Sequence, residues 1–471
     1  MGNAHKLKAR MPDRFGPNSA TITGKGHATH EGDEMQVGTT LHSAAIALAF
    51  ASSLGAASAV HAADQTIAGA GNADAAAVAG ASPLVRSAMR RLELALDTIR
   101  DRTLRERTID ALFNPRSCVY HRSELTAEKQ QAIVDTLQRE GLIAPADAAA
   151  FPGGARSGVF PPVQAGEGPC PKLPQGFYVA PGSNFGSHHS YPGGLAIHES
   201  FNLSSALSFA ENYKLAYGTL GPDGLPRMAP LSSYGHAESN LDISRDEVIA
   251  APLWHDWAKT LVFQWNADGT EFTEFNFGGN GLTDNYGKAG DSRTGGHHIL
   301  SLAETIARGL SPEFIAVQAS AHSAPTLGNE YKVVNWIRAA AIIAQADPVA
   351  QGLLLWDAAG NLRLPARKTP SGSVDLNAAG QVNLVVEETI HNLSDADFVF
   401  SIPAAAEAQV ILQSLATRYG YDPADAVRYT TKFRNPVLSF LSAERVLILY
   451  TTEGIEAVQA ELDRLRDKHV I

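Results

Sequence analysis

The sequence predicts a mostly α fold: a helical bundle with a hairpin insertion, preceded by a helical region and followed by a small α+β region. Three observations predict it. Helix-opening signals recur along the chain, at Ser82-Pro83, Ser244-Arg245-Asp246-Glu247 and Ser311-Pro312. Apolar residues after them return at helical spacings, and glycines such as Gly141, Gly218 and Gly309 close the segments. Strand-like runs are few and gather after residue 350.

The elements follow in order. Residues 43–62, SAAIALAFASSLGAASAVHA, form an uncharged apolar run ending in Val60-His61-Ala62. The run is short for a membrane span, and its small-x-small ending reads as a secretory signal peptide. That implies a periplasmic or secreted protein with no stable membrane span after processing. The alternative is an Ala-rich tail on a cytoplasmic protein. Residues 63–82 are Ala/Gly-rich without periodicity and read as a flexible linker. Residues 83–184 comprise a helical region, with helices from Ser82 and over Thr126–Glu140, then a Pro/Gly-rich irregular connection from residue 151. Residues 185–350 form the main helical domain. Its predicted helices are Gly193–Tyr217, one opened by Ser244, Thr294–Arg308, one from Ser311 to near His322, and Glu330–Ala346. A hairpin, LVFQW-NADG-TEFTEFNF, interrupts them. In residues 351–471, LVVEE, DFVFS and RVLILYTT read as strands, while 404–418 and 455–466 read as helices. No catalytic motif is visible there.

Composition narrows the chemistry. The 471 residues carry 38 Lys+Arg against 49 Asp+Glu, a formal charge of −11. Without residues 1–62 the balance is 33 against 45, so the acidity belongs to the folded part. That argues against bulk nucleic-acid binding. Two cysteines cannot build a thiolate zinc site, although Cys118 and Cys170 suffice for one disulfide in an oxidising compartment. A metal site would therefore draw on histidine and carboxylate. Eight of the 16 histidines lie between residues 188 and 322. His198, His255, His297 or His298, and His322 each sit on or at the end of a separate predicted helix. Helices in a bundle can each point one ligand at a common centre. The donor set suits Fe, Mn, Zn, Ni or Co. In the adjacent His255-Asp256 pair, the carboxylate can bridge two cations while the histidine holds one of them.

These residues resemble the HD-domain superfamily of metal-dependent phosphohydrolases. HHSYPGGLAIHESFNLSSALSFAENY (188–213) is similar to the opening motif of the branch found in bacterial 3′–5′ exoribonucleases and relaxase-associated HD domains. WHDWAKT (254–260) resembles the His-Asp-x-Gly-Lys signature, with Ala258 in place of the glycine. GGHHILSLAE (295–304), SAHSAP (320–325) and QADP (345–348) resemble the later segments, with Ala321-His322 where many relatives carry His-His. The resemblance implies an HD domain over 185–350 with two divalent transition metal ions. His198, His255, Asp256 and Asp347 would bind one. Asp256 would bridge to the second, held by His322 and by His297 or His298, with His297 the better match. Asp256 and Lys259 would be catalytic, and Lys259 would also touch substrate phosphate. His189 and Arg293 are further substrate-contact candidates. His188 could support the site from outside, Lys288 and Arg338 could bind an anion, and His236 could reach a substrate from its loop.

The expected activity is hydrolysis of a small phosphate ester by a hydroxide activated between two metals. The same ligands serve mixed-valence di-iron oxygenases, which stand as the alternative. A non-catalytic sensor that keeps the bundle is a third reading. Oligomeric state is not legible in the sequence.

Overall fold

The structure, a computed structural model, describes residues 67–236, 238–278, 292–325, 328–369, 372–374 and 385–471. The predicted signal peptide and Lys288 lie outside the described residues. The fold is mostly helical. The helices in order are α1 (Asn72–Ala81), α2 (Pro83–Leu96), α3 (Arg102–Phe113), α4 (Ala127–Arg139), α5 (Pro145–Ala150), α6 (Gly154–Val159), α7 (Gly194–Tyr217), α8 (Arg245–His255), α9 (Lys259–Val262), α10 (Gly296–Ala307), α11 (Pro312–Ala319), α12 (Glu330–Ile343), α13 (Val386–Ser394), α14 (Phe398–Ala416), α15 (Ala426–Tyr429), α16 (Asn435–Leu441), α17 (Ala443–Glu453) and α18 (Ile455–Asp467). Among the described residues the sheet content is three two-stranded antiparallel pairs. These are β1 (Asn276–Phe277) with β2 (Thr294–Gly295), β3 (Leu355–Trp356) with β4 (Leu362–Arg363), and β5 (Arg367–Thr369) with β6 (Gly372–Val374).

The predicted caps form. The hydroxyls of Ser82, Ser244 and Ser311 accept hydrogen bonds from the backbone N–H of Val85, Glu247 and Phe314, satisfying donors that a helix start leaves open. The Gly193-Gly194 pair has a steric reason. Gly193 adopts φ +85°, and a Cβ on Gly194 would lie 1.8 Å from the His189 carbonyl oxygen. Only glycine lets the histidine loop pack onto the start of α7.

Three expectations are corrected. First, the linker is ordered from residue 67. Its residues 72–81 form α1, with Ala75 and Ala79 buried and Asn72 bonded to the Trp265 N–H and the Pro174 carbonyl. Alanine has the strongest helix propensity, and a small packed face suffices once neighbours cover it. Second, the hairpin shrinks to a turn in which Trp265 and Glu271 bridge across Asn266–Thr270. Its distal arm, β1, pairs with β2 at the start of α10. Third, LVVEE, DFVFS and RVLILYTT contribute to helices α13, α14 and α17. Short runs of β-branched and aromatic residues do not separate strand from helix by periodicity. In α14 the buried face runs from Ser401 through Ala404, Ala405, Ala408, Ile411, Leu412 and Leu415, so the DFVFS run and the helix expected from residue 404 are one element.

Two cores flank the site. The larger includes Trp254, Ile299, Leu302, Phe314 and Ile337, from α8, α10, α11 and α12, with Trp257 after α8 and Phe277 of β1. The smaller joins α14, α16, α17 and α18 through Leu412, Phe433, Val437, Val446 and Leu462, and it includes Tyr191 of the histidine loop. Cys118 and Cys170 form a disulfide.

Candidate metal centre

Helices α7, α8, α10 and α13, with the loop after α11, deliver the site. His198 lies on the first turns of α7, on the face that also buries Glu199, Asn202 and Leu203. His255 ends α8, and Asp256 occupies its C-cap. His297 opens α10, and His322 follows α11. Asp395 is the C-cap of α13. His198, His255 and Asp256 are almost wholly buried, whereas His322 lies at the exposed rim.

The geometry is convergent. Nε2 of His198 lies 3.2 Å from Asp256 Oδ2 and 3.3 Å from Asp395 Oδ1. Nε2 of His255 lies 3.3 Å from both Asp256 Oδ1 and Asp395 Oδ1. Nε2 of His297 is 3.4 Å from Asp256 Oδ1. His255, His322 and Asp395 form a further close group, and Glu199 joins His198, His255 and Asp256 in a fully buried one. Metal–ligand bonds of about 2.0–2.2 Å put neighbouring ligand atoms of one ion roughly 3–3.5 Å apart. The observed spacings match that shell.

The other nitrogen of each ring is anchored. Nδ1 of His198 faces the Asp397 carboxylate at 3.1 Å, and Nδ1 of His255 the Pro252 carbonyl at 2.7 Å. Nδ1 of His297 is 2.5 Å from Glu274 Oε1, and Nδ1 of His322 is 2.8 Å from Thr294 Oγ1. A carbonyl or carboxylate on Nδ1 places the proton there and leaves Nε2 a lone pair, the arrangement found around metal-bound histidine. His255 Nε2 and Asp256 Oδ1 are buried without a hydrogen-bond partner. Orphaned acceptors of this kind require a cation, a proton or a water. The residues present therefore fit a metal ion.

The predicted residues separate into two sets. His198, His255, Asp256, His297 and His322 come together. His298 is in none of the close groups: it is buried, stacked on the His322 ring at 4.4 Å and edge-on to Trp336 at 4.9 Å, with both ring nitrogens lacking a hydrogen-bond partner among the described residues. Asp347 is not in the cluster. It is exposed after α12, and its Oδ1 accepts from the N–H groups of Val349 and Ala350. Asp395, 48 residues further on, takes the expected place. Lys259 is buried, and its ammonium is held by Asp256 Oδ2 and the Gly182 carbonyl. His189 is buried too, with Nε2 2.9 Å from Asp397 Oδ2, so it supports His198 from behind. Arg293 pairs with Asp147 at 2.8 Å and Arg338 with Glu140 at 3.1 Å. His236 is exposed in its turn, and His188 stands half-buried beside His198 with ring centroids 5.2 Å apart.

Six residues that the sequence reading missed contribute: Asp395, Asp397, His391, Glu274, Glu199 and Asn202. His391, one turn before Asp395 on α13, hydrogen-bonds through Nδ1 to the Val317 carbonyl, and its ring lies 5.1 Å from that of His255. Asn202 donates to Asp395 Oδ1 at 3.1 Å. The available signal was the four-residue spacing of His391 and Asp395, which puts both on one helical face.

The electrostatics show an unmet demand for positive charge. Burial disfavours charged imidazoles, yet the surrounding Asp397, Asp256 and Asp395 carboxylates raise His198. Asp256, Asp395 and Glu199 likewise lift His255 to about 9 against its burial. Burial also opposes the ionised forms of Asp256 and Asp395, but the neighbouring histidines, with Lys259 for Asp256, hold both well below the usual carboxylate range. Burial dominates at Glu199, pushing it up to about 8. Without a metal, protons on His198 and His255 supply the balancing charge, while burial and the neighbouring imidazoles push His322 down to about 4. A divalent cation would displace them.

No protein-family model matches this chain, and neither the curated proteins nor the solved structures contain a significant match to it.

Proposed function

We propose that this chain is a metal-dependent hydrolase of phosphate esters, built like an HD-domain phosphohydrolase around two divalent transition metal ions. The observation that carries the reading is the set of imidazoles pinned through Nδ1 and converging on Asp256 and Asp395. His198, His255, Asp256 and Asp395 would hold one ion. Asp256, His297 and His322 would hold the other. Two bound divalent cations supply Lewis acidity, lower the pKa of water toward neutrality and offset charge developing on a phosphoryl group.

The chain's own residues prepare that chemistry. Lys259 fixes Asp256 through Oδ2, which keeps Oδ1 turned toward His255 and His297. Asn202 orients Asp395. Asp397 and Glu274 set the rings of His198 and His297. The buried shell behind these groups excludes water, which strengthens each electrostatic contact. In this reading Lys259 acts on substrate through Asp256. The Cys118–Cys170 disulfide supports an exported protein, because such bonds persist in oxidising compartments.

The test pairs metal quantification of anaerobically purified protein with a panel of phosphate mono- and diesters. Fe, Mn, Zn, Ni or Co at up to two equivalents, with metal-dependent phosphate release, is the expected result. Full metal loading with no hydrolysis of any ester would overturn the reading, as would iron supporting an O₂-dependent reaction.

A further inference from the structure

The helix that follows the centre leaves its apolar first turns uncovered. Phe398, Val399 and Ile402 of α14 are 44%, 70% and 44% exposed, and Ile402 lies one turn on from both Phe398 and Val399, so the three share a face. A soluble surface scatters such side chains singly, and a contiguous group marks a binding surface. Its position specifies what binds. The group starts one residue after Asp397, which holds His198, and three after Asp395, which stands between His198 and His255. The half-buried His188 ring links the two regions, with its centroid 5.2 Å from that of His198 and 6.5 Å from that of Phe398. Asp395 itself retains solvent access, with its side chain 15% exposed. A molecule whose reacting group reaches Asp395 past His188 therefore lays its remainder against Phe398. The cations predicted to grip a polar remainder are committed elsewhere, Lys259 to Asp256 and Arg293 to Asp147.

Resting on the hydrolase reading above, we propose that the substrate is an amphiphilic phosphate ester whose hydrocarbon chain lies on the ledge from Phe398 to Ile402. The P–O bond to the alkyl oxygen breaks and a P–O bond to the oxygen of water forms. The departing oxygen takes a proton, giving an alcohol and inorganic phosphate with no redox partner. Substrate phosphate is positioned at the metals, and chain length sets affinity.

The experiment compares methyl phosphate with dodecyl phosphate, below its micelle concentration, on the metal-loaded full chain. The ratio of kcat/KM for dodecyl over methyl phosphate should rise roughly tenfold for every two methylenes that reach the ledge. In Phe398→Ser/Val399→Ser that ratio should fall at least about tenfold. Ile402→Ser serves as a second variant, and metal content and helical circular dichroism check the fold of each. Equal handling of the two esters by the wild-type chain overturns this inference and leaves the hydrolase reading standing. No turnover of either ester, nor of any other, overturns both. Sedimentation that shows a dimer in the wild type and a monomer in the variants would assign the ledge to a second copy and overturn the proposal.

Discussion

Replacing Asp395 with Asn tests which carboxylate completes the centre. In the structure Asp395 Oδ1 is 3.3 Å from Nε2 of both His198 and His255 and 3.1 Å from Asn202 Nδ2. Asn keeps the volume and one carbonyl oxygen but removes the negative charge that two imidazoles share with Asp256. Loss of a partner one layer outside a metal typically costs 10–100-fold in affinity. Loss of a ligand charge should therefore cost at least about 100-fold, or about 2.7 kcal/mol. The matched control is Asp347→Asn, whose Oδ1 only caps the N–H groups of Val349 and Ala350. It should leave metal affinity within twofold and reduce stability by about 1 kcal/mol or less. Competition against a chromophoric chelator, with thermal melts to verify folding, measures both. Wild-type affinity in Asp395→Asn, or a large loss in Asp347→Asn, would refute the assignment.

Three further expectations follow from named contacts. Asp397→Ala removes the anchor of both His198 and His189 and should weaken metal binding about 10–100-fold, with partial recovery in Asp397→Asn; chelator competition reads it, and an unchanged affinity would show the contact to be incidental. In metal-free protein, His255 is raised to about 9 and Glu199 to about 8, so each contributes stability below its unfolded pKa that is lost as pH rises through the folded value. The melting temperature of the metal-free chain should therefore fall between pH 6.5 and 9, with His255 accounting for at most about 3 kcal/mol. Bound metal should flatten that slope, and a rise over the same window would contradict the charge assignment. The Cys118–Cys170 bond closes a loop of sequence separation 52, so Cys118→Ser should lower the free energy of unfolding by about 4 kcal/mol in chain-entropy terms; urea denaturation of oxidised and variant protein measures it, and equal midpoints would show that the bond adds nothing.

Much of the centre was legible because its chemistry has few substitutes. An acidic chain with two cysteines directs metal chemistry to histidine and carboxylate, and His198, His255, Asp256, His297 and His322 stand near the starts and ends of helices, of which Ser244 and Ser311 cap α8 and α11. The final carboxylate was not legible. Asp347 sits in the expected order, but the chain adds residues 351–385 before α13 brings His391 and Asp395 back to the bundle. Their helix was obscured because LVVEE and DFVFS, on either side of them, have strand-like composition. Glu274 was hidden for a related reason. It lies in a segment read as a hairpin arm, and only the pairing of β1 with β2 sets it beside the His297 N–H at 2.6 Å. Lys259 is a different case: the signature match reads it as a contact to substrate phosphate, whereas α8 ends at His255 and the buried ammonium, opening α9, pairs with Asp256.

The most direct test of the central claim is anomalous X-ray scattering from crystals of metal-loaded protein. Two peaks about 3.5–4 Å apart are the expected result. One should be coordinated by His198, His255, Asp256 and Asp395, and the other by Asp256, His297 and His322. No anomalous peak among these side chains at saturating metal, or coordination by His298 or Asp347 in place of His297 or Asp395, would contradict it.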